Sequence, residues 1–519
     1  MDPLSKSVNK MNKLQLLRQT GVLSAKGLLA LIKSIMANGI SLTALLGYAA
    51  ARYPERTAVH DDDEALTYAE LYSRTRRLAA ALKYRHGLGP GQKVALCCRN
   101  HKGLLTALFA CAYTGADLFL INTEIAPEKL GALAGKHAFN LMIYDSELKP
   151  LIAACGYRGN QLPVDDAHFN ACSSVQGADS LPARVAYGPG SITVLTGGST
   201  GAFKSASRKP SLSAFLNPLF TLLDKLRLSQ YRKLYIATPI YHGFGLAALC
   251  LATLLGATVY LSKRFDAERA STLISHHRVE VIALVPLMLS RMLQLDPERL
   301  TPLRCIISGG AHLTPALAEQ AQTRLPGGLF NLYGTSEAGV CTIATPKELH
   351  ESPGTIGRPI EGLNLRLLNL RGGQPIADGS VVGEIIVRCA WSAQGADSDV
   401  ATGDLAYRDK NGNYFLCGRI DDMIVSGGEN VYPIELENVL ITHPAVRECL
   451  VAGVEDAEFG QRLKAWVTIT PAERIDKFEL LSWLKPRVAR YAMPVDVVLV
   501  EEIPLTAVGK PDVRRLLQQ

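Results

Sequence analysis

The sequence predicts an α/β body followed by a smaller α+β module, and three observations carry that expectation. Apolar runs of strand length at 94–98, 118–121, 141–144, 193–195, 234–237, 258–261, 281–285 and 305–307 alternate with stretches of helical periodicity. That alternation marks parallel strands covered by helices on both faces. After Gly383 the rhythm changes to short strands at 384–388 and 414–417, spaced as in an antiparallel β subdomain. From Val431 onward a helix at 433–440, strands near 449–454 and 465–469, a helix around 478–488 and a strand at 495–500 complete a compact α+β unit. A chain of 519 residues divides in any case, because single cores stop growing at roughly 250–300 residues.

Near the start of the chain, Leu14, Leu17, Leu28, Leu29, Ile32 and Ile35 form one apolar side of two short helices with Lys26 and Lys33 opposite. Docking of that side on the protein's own body is expected, with peripheral membrane contact as the alternative. The uncharged stretch 34–51 is interrupted by Asn38, Gly39, Ser41 and Thr43, so it lacks the ~20 predominantly apolar residues of a spanning helix. Thr67 and Glu70 have the spacing of a capping box ahead of a helix at 71–82. Glycines at 87, 89 and 91 turn the chain into the strand at 94–98, after which a helix at 104–114 and a strand at 118–121 complete a βαβ unit. A domain boundary is placed at 419–422, and no solenoid repeat is present.

Composition narrows the function classes. With 48% hydrophobic and 20% charged residues the chain is neither disordered nor fibrous. A net charge of +7 without a dense Lys/Arg run argues against a nucleic-acid groove and for anionic small molecules. The 11 cysteines form no CxxC pair, which argues against a zinc or thiol-redox motif and for small buried thiols in a reducing cytoplasm.

The most informative segment is Thr196, Gly197, Gly198, Ser199, Thr200, Gly201, Ala202, Phe203 and Lys204, directly after an apolar strand. Glycines let the backbone approach a ligand, and successive N–H groups form an anion-binding concavity suited to phosphate. The segment is not a Walker A loop, because Lys204 stands three positions beyond Gly201 instead of next to it. Taken alone, such a loop is as often a plain turn.

The segment resembles the T-[SG]-G-[ST]-T-G-x-P-K pattern of the ANL superfamily of adenylate-forming enzymes, with Phe203 where the family has proline. Further family motifs follow in order at 241–243, 309–311, 333–337, 402–404, 418–422 and 504–510. The resemblance runs from about residue 42 to the C-terminus. It implies an N-terminal extension at 1–41, an adenylation domain at 42–420 and a mobile C-terminal domain at 421–519. The adenylation domain would hold two α/β subdomains with parallel-rich sheets and a small antiparallel β subdomain.

The same resemblance implies site residues. Lys204 and the loop from Thr196 to Gly201 would hold phosphate; Gly309, Gly310, Ala311, Tyr333, Gly334 and Thr335 would border the adenine. Glu337 would bind Mg²⁺, an ion content with one carboxylate and phosphate oxygens. Asp404 would hold the ribose and Arg419 the ribose or phosphate. His242, Gly243, Phe244, Gly245, Gly309 and Gly334 would line the acid. Lys510 would meet the carboxylate and α-phosphate, Asp421 would be the hinge, and Ser426, Gly427 and Gly428 would lie against coenzyme A. Outside that resemblance, Lys204, Lys510, Glu337, Asp404 and Arg419 read as surface charges and His242 as a satisfied strand-end histidine.

The implied chemistry is ATP-dependent ligation of a carboxylic acid to coenzyme A through an acyl-adenylate, with Mg²⁺. It needs positioning and electrostatic stabilisation, not a side-chain nucleophile. The first-choice acid is a medium- or long-chain fatty acid, because 211–228 is leucine-rich and, with the N-terminal stretch, resembles bacterial fatty acyl-CoA synthetases. A cinnamate- or benzoate-type acid is the alternative, as is loading of an acyl carrier protein. A cytoplasmic monomer or homodimer, with membrane-peripheral placement left open, completes the expectation.

Overall fold

The computed structural model describes residues 13–164, 189–197, 203–209, 211, 213–369, 374–376, 381–426, 429–456, 459–470, 473–506 and 511–518. The chain divides into two compact units. One comprises Met1–Ala283 with Pro302–Cys305, the other Leu284–Thr301 with Ile306–Gln519.

Two groups of parallel strands build the first unit. In a six-stranded sheet the order is Asn160–Val164, Leu141–Asp145, Lys93–Cys97, Asp117–Leu120, Ile192–Gly197 and Phe203–Arg208. The first five are parallel and the last pairs antiparallel with its predecessor. The helix Lys102–Thr114 is buried almost all round, as its apolar sequence requires. In the other group Val281–Leu284, Lys233–Ile236, Thr258–Tyr260 and Thr57–His60 run parallel in that order, and Ala65–Thr67 closes the edge antiparallel. Tyr68–Tyr84 forms the helix expected from the capping box, and both of its reciprocal hydrogen bonds are present. Cys97 lies wholly buried, and burial, then the charge of Asp145, pushes its thiol up to about 12. It is therefore a packing residue, not a nucleophile.

The N-terminal helices depart from expectation. In Ala25–Asn38 the buried positions are Gly27, Ala30, Ser34 and Asn38, whereas Leu28, Leu29, Ile32 and Met36 are 42–60% exposed. The leucine side does not dock on the body, and Lys26 and Lys33 share the exposed side with it. Hydrogen bonds decide the orientation: the Ser34 hydroxyl donates to the Ala44 carbonyl at 2.6 Å, and the Tyr72 hydroxyl donates to Asn38 Oδ1 at 3.1 Å. Turning the helix over would leave the buried Ala44 carbonyl without this donor, at about 1–3 kcal/mol.

In the second unit the neighbouring strands are Cys305–Gly309, Gly328–Thr335, Gly339–Ala344 and Arg358–Pro359, in that order. A separate antiparallel sheet holds Asn364–Leu368, Gly383–Arg388, Val400–Arg408 and Tyr414–Arg419. A third sheet contains Ile424–Ser426, Glu429–Val431, Val446–Asp456, Gly460–Ile469 and Asp496–Leu499. The expected boundary at 420/421 thus falls between strands of different sheets. Residues beyond it have a core of their own, including Val431, Leu436, Leu440, Leu463, Leu480 and Val497.

Glu437, on the helix Pro433–Leu440, accepts the Val451 N–H at 2.8 Å. Burial raises its carboxyl to about 7, with the Val451 N–H opposing and the Asp422 charge adding. The folded state therefore disfavours ionisation, and stability falls as pH rises from the ordinary glutamate range through about 7. Glu437→Gln should raise the melting temperature at pH 8, by about 1–3 kcal/mol of stability, and leave it unchanged at pH 5. Thermal melts at both pH values check this; equal melts at pH 8 contradict it.

Candidate active site

The best-defined polar constellation lies in the second unit. Asp404 sits on the strand Val400–Arg408 and faces Arg419 across the antiparallel register with Tyr414–Arg419. Arg419 Nη1 reaches Asp404 Oδ1 at 2.7 Å, and the Tyr333 hydroxyl donates to Oδ2 at 2.7 Å. Asp404 is only 8% exposed. Burial, then the Asp404 charge, holds the Tyr333 phenol far above its ordinary range, so it remains a donor. Burial works against the Arg419 guanidinium, yet the charges of Asp404, Asp422 and Asp421 raise it overall. The backbone is prepared for this pair: Gly403 has φ 74°, the Thr402 hydroxyl donates to the Ile385 carbonyl, and its oxygen accepts the Asp404 N–H.

Tyr333, Gly334 and Thr335 are the last three residues of Gly328–Thr335, and the adjacent strand ends at Gly309. Gly310 follows with φ 77°, a conformation that favours glycine. The small residues here serve different ends. A Cβ on Gly334 would meet the Gly339 carbonyl oxygen at 2.2 Å, so the close approach of two strands requires glycine there. At Gly310 the nearest atom to an added Cβ would be Val285 Cγ1 at 3.7 Å. Glu337 is half-buried, and its carbonyl accepts the Ala393 N–H at 2.7 Å. The Thr335 hydroxyl oxygen accepts the Ala338 N–H at 3.0 Å and fixes the turn that carries Glu337.

In the first unit His242 precedes the helix Gly243–Leu255, and its ring lies 4.8 Å from that of Tyr241. Buried Asn100 clamps the approach to this turn: its amide donates to the Thr238 carbonyl at 2.9 Å and its oxygen accepts the Ile240 N–H at 2.8 Å. A Cβ on Gly243 would meet nothing within 4 Å, whereas one on Gly245 would lie 2.4 Å from the Pro239 carbonyl oxygen. Phe244 is half-buried between them.

The glycine-rich loop joins a hairpin. Ile192–Gly197 pairs antiparallel with Phe203–Arg208, with Thr196 opposite Lys204 and Gly197 opposite Phe203. Gly198, Ser199, Thr200 and Gly201 lie outside the described residues, as do Gly427, Gly428 and Lys510. Both stems of the Lys510 loop are described: Leu505 bridges Pro511, and the Asp512 N–H donates to the Pro504 carbonyl at 2.8 Å. Arg291 holds that stem. Its guanidinium donates to the Ile503 carbonyl at 3.3 Å and pairs with Glu502 at 2.9 Å and Glu448 at 3.8 Å. Ser426 is buried, and its hydroxyl has no hydrogen-bond partner among the described residues. Asp421 lies 3.7 Å from Arg419.

Asn100 and Arg291 were not legible in the sequence, since each is a lone polar residue on or beside a helix whose partners lie far along the chain.

A carboxylate has about four acceptor positions, and Tyr333 and Arg419 each take one on Asp404. No cluster of three metal-ligating side chains exists among the described residues.

The AMP-binding enzyme family model matches residues 46–395, and the AMP-binding enzyme C-terminal domain model matches 435–510. The chain belongs to this family, within the ANL superfamily of adenylate-forming enzymes. Among its relatives, a feruloyl-CoA synthase of Amycolatopsis sp is 34% identical over 88% of this chain and 94% of that protein. An indoleacetate–CoA ligase of Aromatoleum aromaticum is 30% identical over 89% and 96%. The o-succinylbenzoate CoA synthetase of Bacillus subtilis, solved with its acyl-adenylate intermediate, superposes with a TM-score of 0.78 at 26% identity, covering 92% of this chain and 98% of that one.

Gly334→Ala and Gly245→Ala should each lower the melting temperature, because backbone must move to admit the methyl group, at about 1–3 kcal/mol. Gly243→Ala should melt as the parent does and alter only the choice of acid. A melt of Gly334→Ala indistinguishable from the parent would contradict this division.

Proposed function

We propose that this chain is an AMP-forming carboxylate–CoA ligase whose acid carries an aromatic ring. One observation carries the choice of acid: feruloyl, indoleacetate and o-succinylbenzoate, named in the relatives' activities, each join an acyl group to a ring. The fatty acid expected first has no counterpart among these three.

In the first half-reaction a carboxylate oxygen of the acid attacks the α-phosphorus of ATP and pyrophosphate leaves. Asp404, fixed by Tyr333 and Arg419, accepts hydrogen bonds from the ribose hydroxyls and so sets the α-phosphate in line. Lys204 and the backbone N–H groups of the 196–201 loop bind phosphate. Glu337 would hold Mg²⁺, which would neutralise phosphate charge. Lys510 meets the charge that develops between carboxylate and α-phosphate, a contribution of several kcal/mol on the scale of oxyanion donors, about 3. In the second half-reaction the sulfur of coenzyme A attacks the acyl carbonyl and AMP leaves. Residues 421–519 turn about Asp421 between the two, so that Ser426, Gly427 and Gly428 replace Lys510 at the site. Because the acyl phosphate is already activated, neither step needs a covalent enzyme intermediate.

A panel of aryl and fatty acids tested for pyrophosphate release with ATP and Mg²⁺, with and without coenzyme A, decides the substrate class. Aryl acids should turn over fastest, and Glu337→Gln should shift the Mg²⁺ titration to higher concentration. Faster turnover of fatty acids would overturn the choice of acid; release of ADP would overturn adenylation altogether.

Separating the half-reactions tests the two-pose mechanism. Lys510→Ala should slow adenylate formation by about a hundredfold or more, while presynthesised acyl-adenylate and coenzyme A still give thioester at near the parent rate. Asp421→Pro, which stiffens the hinge backbone, should do the reverse. Equal slowing of both steps by Lys510→Ala would contradict the mechanism.

A further inference from the structure

We infer that the helix Ala25–Asn38 is built to lie on an anionic membrane surface. Its sidedness is inverted for a helix of a water-soluble body. The residues packed inward are Gly27, Ala30, Ser34 and Asn38, and those facing outward include Leu28, Leu29, Ile32 and Met36. Inward Gly27 lies so close to the Gly21 carbonyl that an added Cβ would sit 2.2 Å from it, and on the facing helix Leu42–Arg52 a Cβ at Gly47 would lie 2.5 Å from the Ser34 hydroxyl. The packing therefore fixes which side is out. Ile40 continues the apolar side just beyond the helix, 44% exposed.

Charge selects the occupant. Between residues 3 and 54 the chain has seven basic residues, Lys6, Lys10, Lys13, Arg18, Lys26, Lys33 and Arg52, and no acidic one. Lys26 and Lys33 lie on the exposed side beside the leucines, the arrangement by which an interfacial helix sinks an apolar side among headgroups while lysines meet their phosphates. A second copy docked by two-fold symmetry would instead set this basic rim against its own like charges. No single described helix is long and apolar enough to cross a membrane. Helix Lys13–Thr20 meets Ala25–Asn38 at a bend of 82°, and on it Leu14 is 49% exposed while Leu16 is buried. The matched family segment begins at residue 46, so this surface lies ahead of the residues assigned to catalysis.

Full-length protein is mixed with vesicles of phosphatidylcholine alone or of phosphatidylcholine with phosphatidylglycerol, and the bound fraction is read by flotation. The protein should bind the anionic vesicles and be released by salt, which screens the lysine contacts. Leu29→Gln combined with Ile32→Gln and Met36→Gln should weaken binding by about a hundredfold, and Lys26→Gln with Lys33→Gln by about tenfold, both at unchanged melting temperature. In Leu29→Cys, a membrane-impermeant maleimide should label the new thiol quickly in solution and slowly on anionic vesicles. No binding by the parent protein, or binding indifferent to both sets of substitutions, would overturn the inference. Slow labelling without vesicles would also overturn it, and would show the surface covered by the chain itself or, if sedimentation velocity reports a dimer, by a second copy.

Discussion

A buried carboxylate needs its hydrogen bonds made, and in this protein that requirement at Asp404 organises the candidate nucleotide site. Its two oxygens are held by Tyr333 and by Arg419 at 2.7 Å each. Tyr333 ends a strand of one sheet and Arg419 ends a strand of another, so satisfying one acid fixes two sheets to each other within the second unit. The loss of either partner would leave a buried acceptor wanting, at about 1–3 kcal/mol. The same chain leads directly onward: Arg419 is the last residue before the 420–422 turn and lies near Asp421 as well. Asp404, proposed to hold the ribose, is thus coupled through one guanidinium to the residue proposed as the hinge.

The Lys510 loop is governed from elsewhere. Its stem is gripped by Arg291, which holds the Ile503 carbonyl and two glutamates together. Glu448 is 6% exposed, and burial raises its carboxyl, with Arg291 opposing. A buried acid of this kind is stable chiefly while its arginine is in place. Reorientation of the C-terminal residues would have to separate this group, so the contact is a natural energetic weight on the pose described here.

Much of the fold was legible because period and punctuation are local. The capping box of Thr67 and Glu70, the strand-length apolar runs and the change of rhythm after Gly383 all reappear as helices and sheets. The strand Phe203–Arg208 was not expected, since Lys204, Ser205, Ser207 and Arg208 give it little apolar alternation; pairing with Ile192–Gly197 creates it. The hairpin of Val446–Asp456 and Gly460–Ile469 is longer than expected because its ladder continues through polar residues such as Glu455 and Gln461. Helix Ala25–Asn38 was read with the wrong side inward, because hydrophobic periodicity reports an apolar side without saying what covers it. Site residues were legible only through ordered motifs. Their mutual contacts, such as Tyr333 with Asp404 across 71 positions, and the clamps at Asn100 and Arg291 have no local signature. Substrate choice was the least legible of all, since glycines in a pocket wall do not say whether a chain or a ring fills the space.

Titration of ATP into the protein by calorimetry, without acid or coenzyme A, isolates the role of Asp404 when Asp404→Asn is compared with the parent. An asparagine keeps the size of the side chain and an oxygen for Tyr333, but its amide cannot accept from the ribose as a carboxylate does. Binding should weaken by about tenfold or more in a variant that still unfolds cooperatively. Unchanged ATP affinity would show that Asp404 serves only to join the sheets, and would contradict its place at the centre of the nucleotide site.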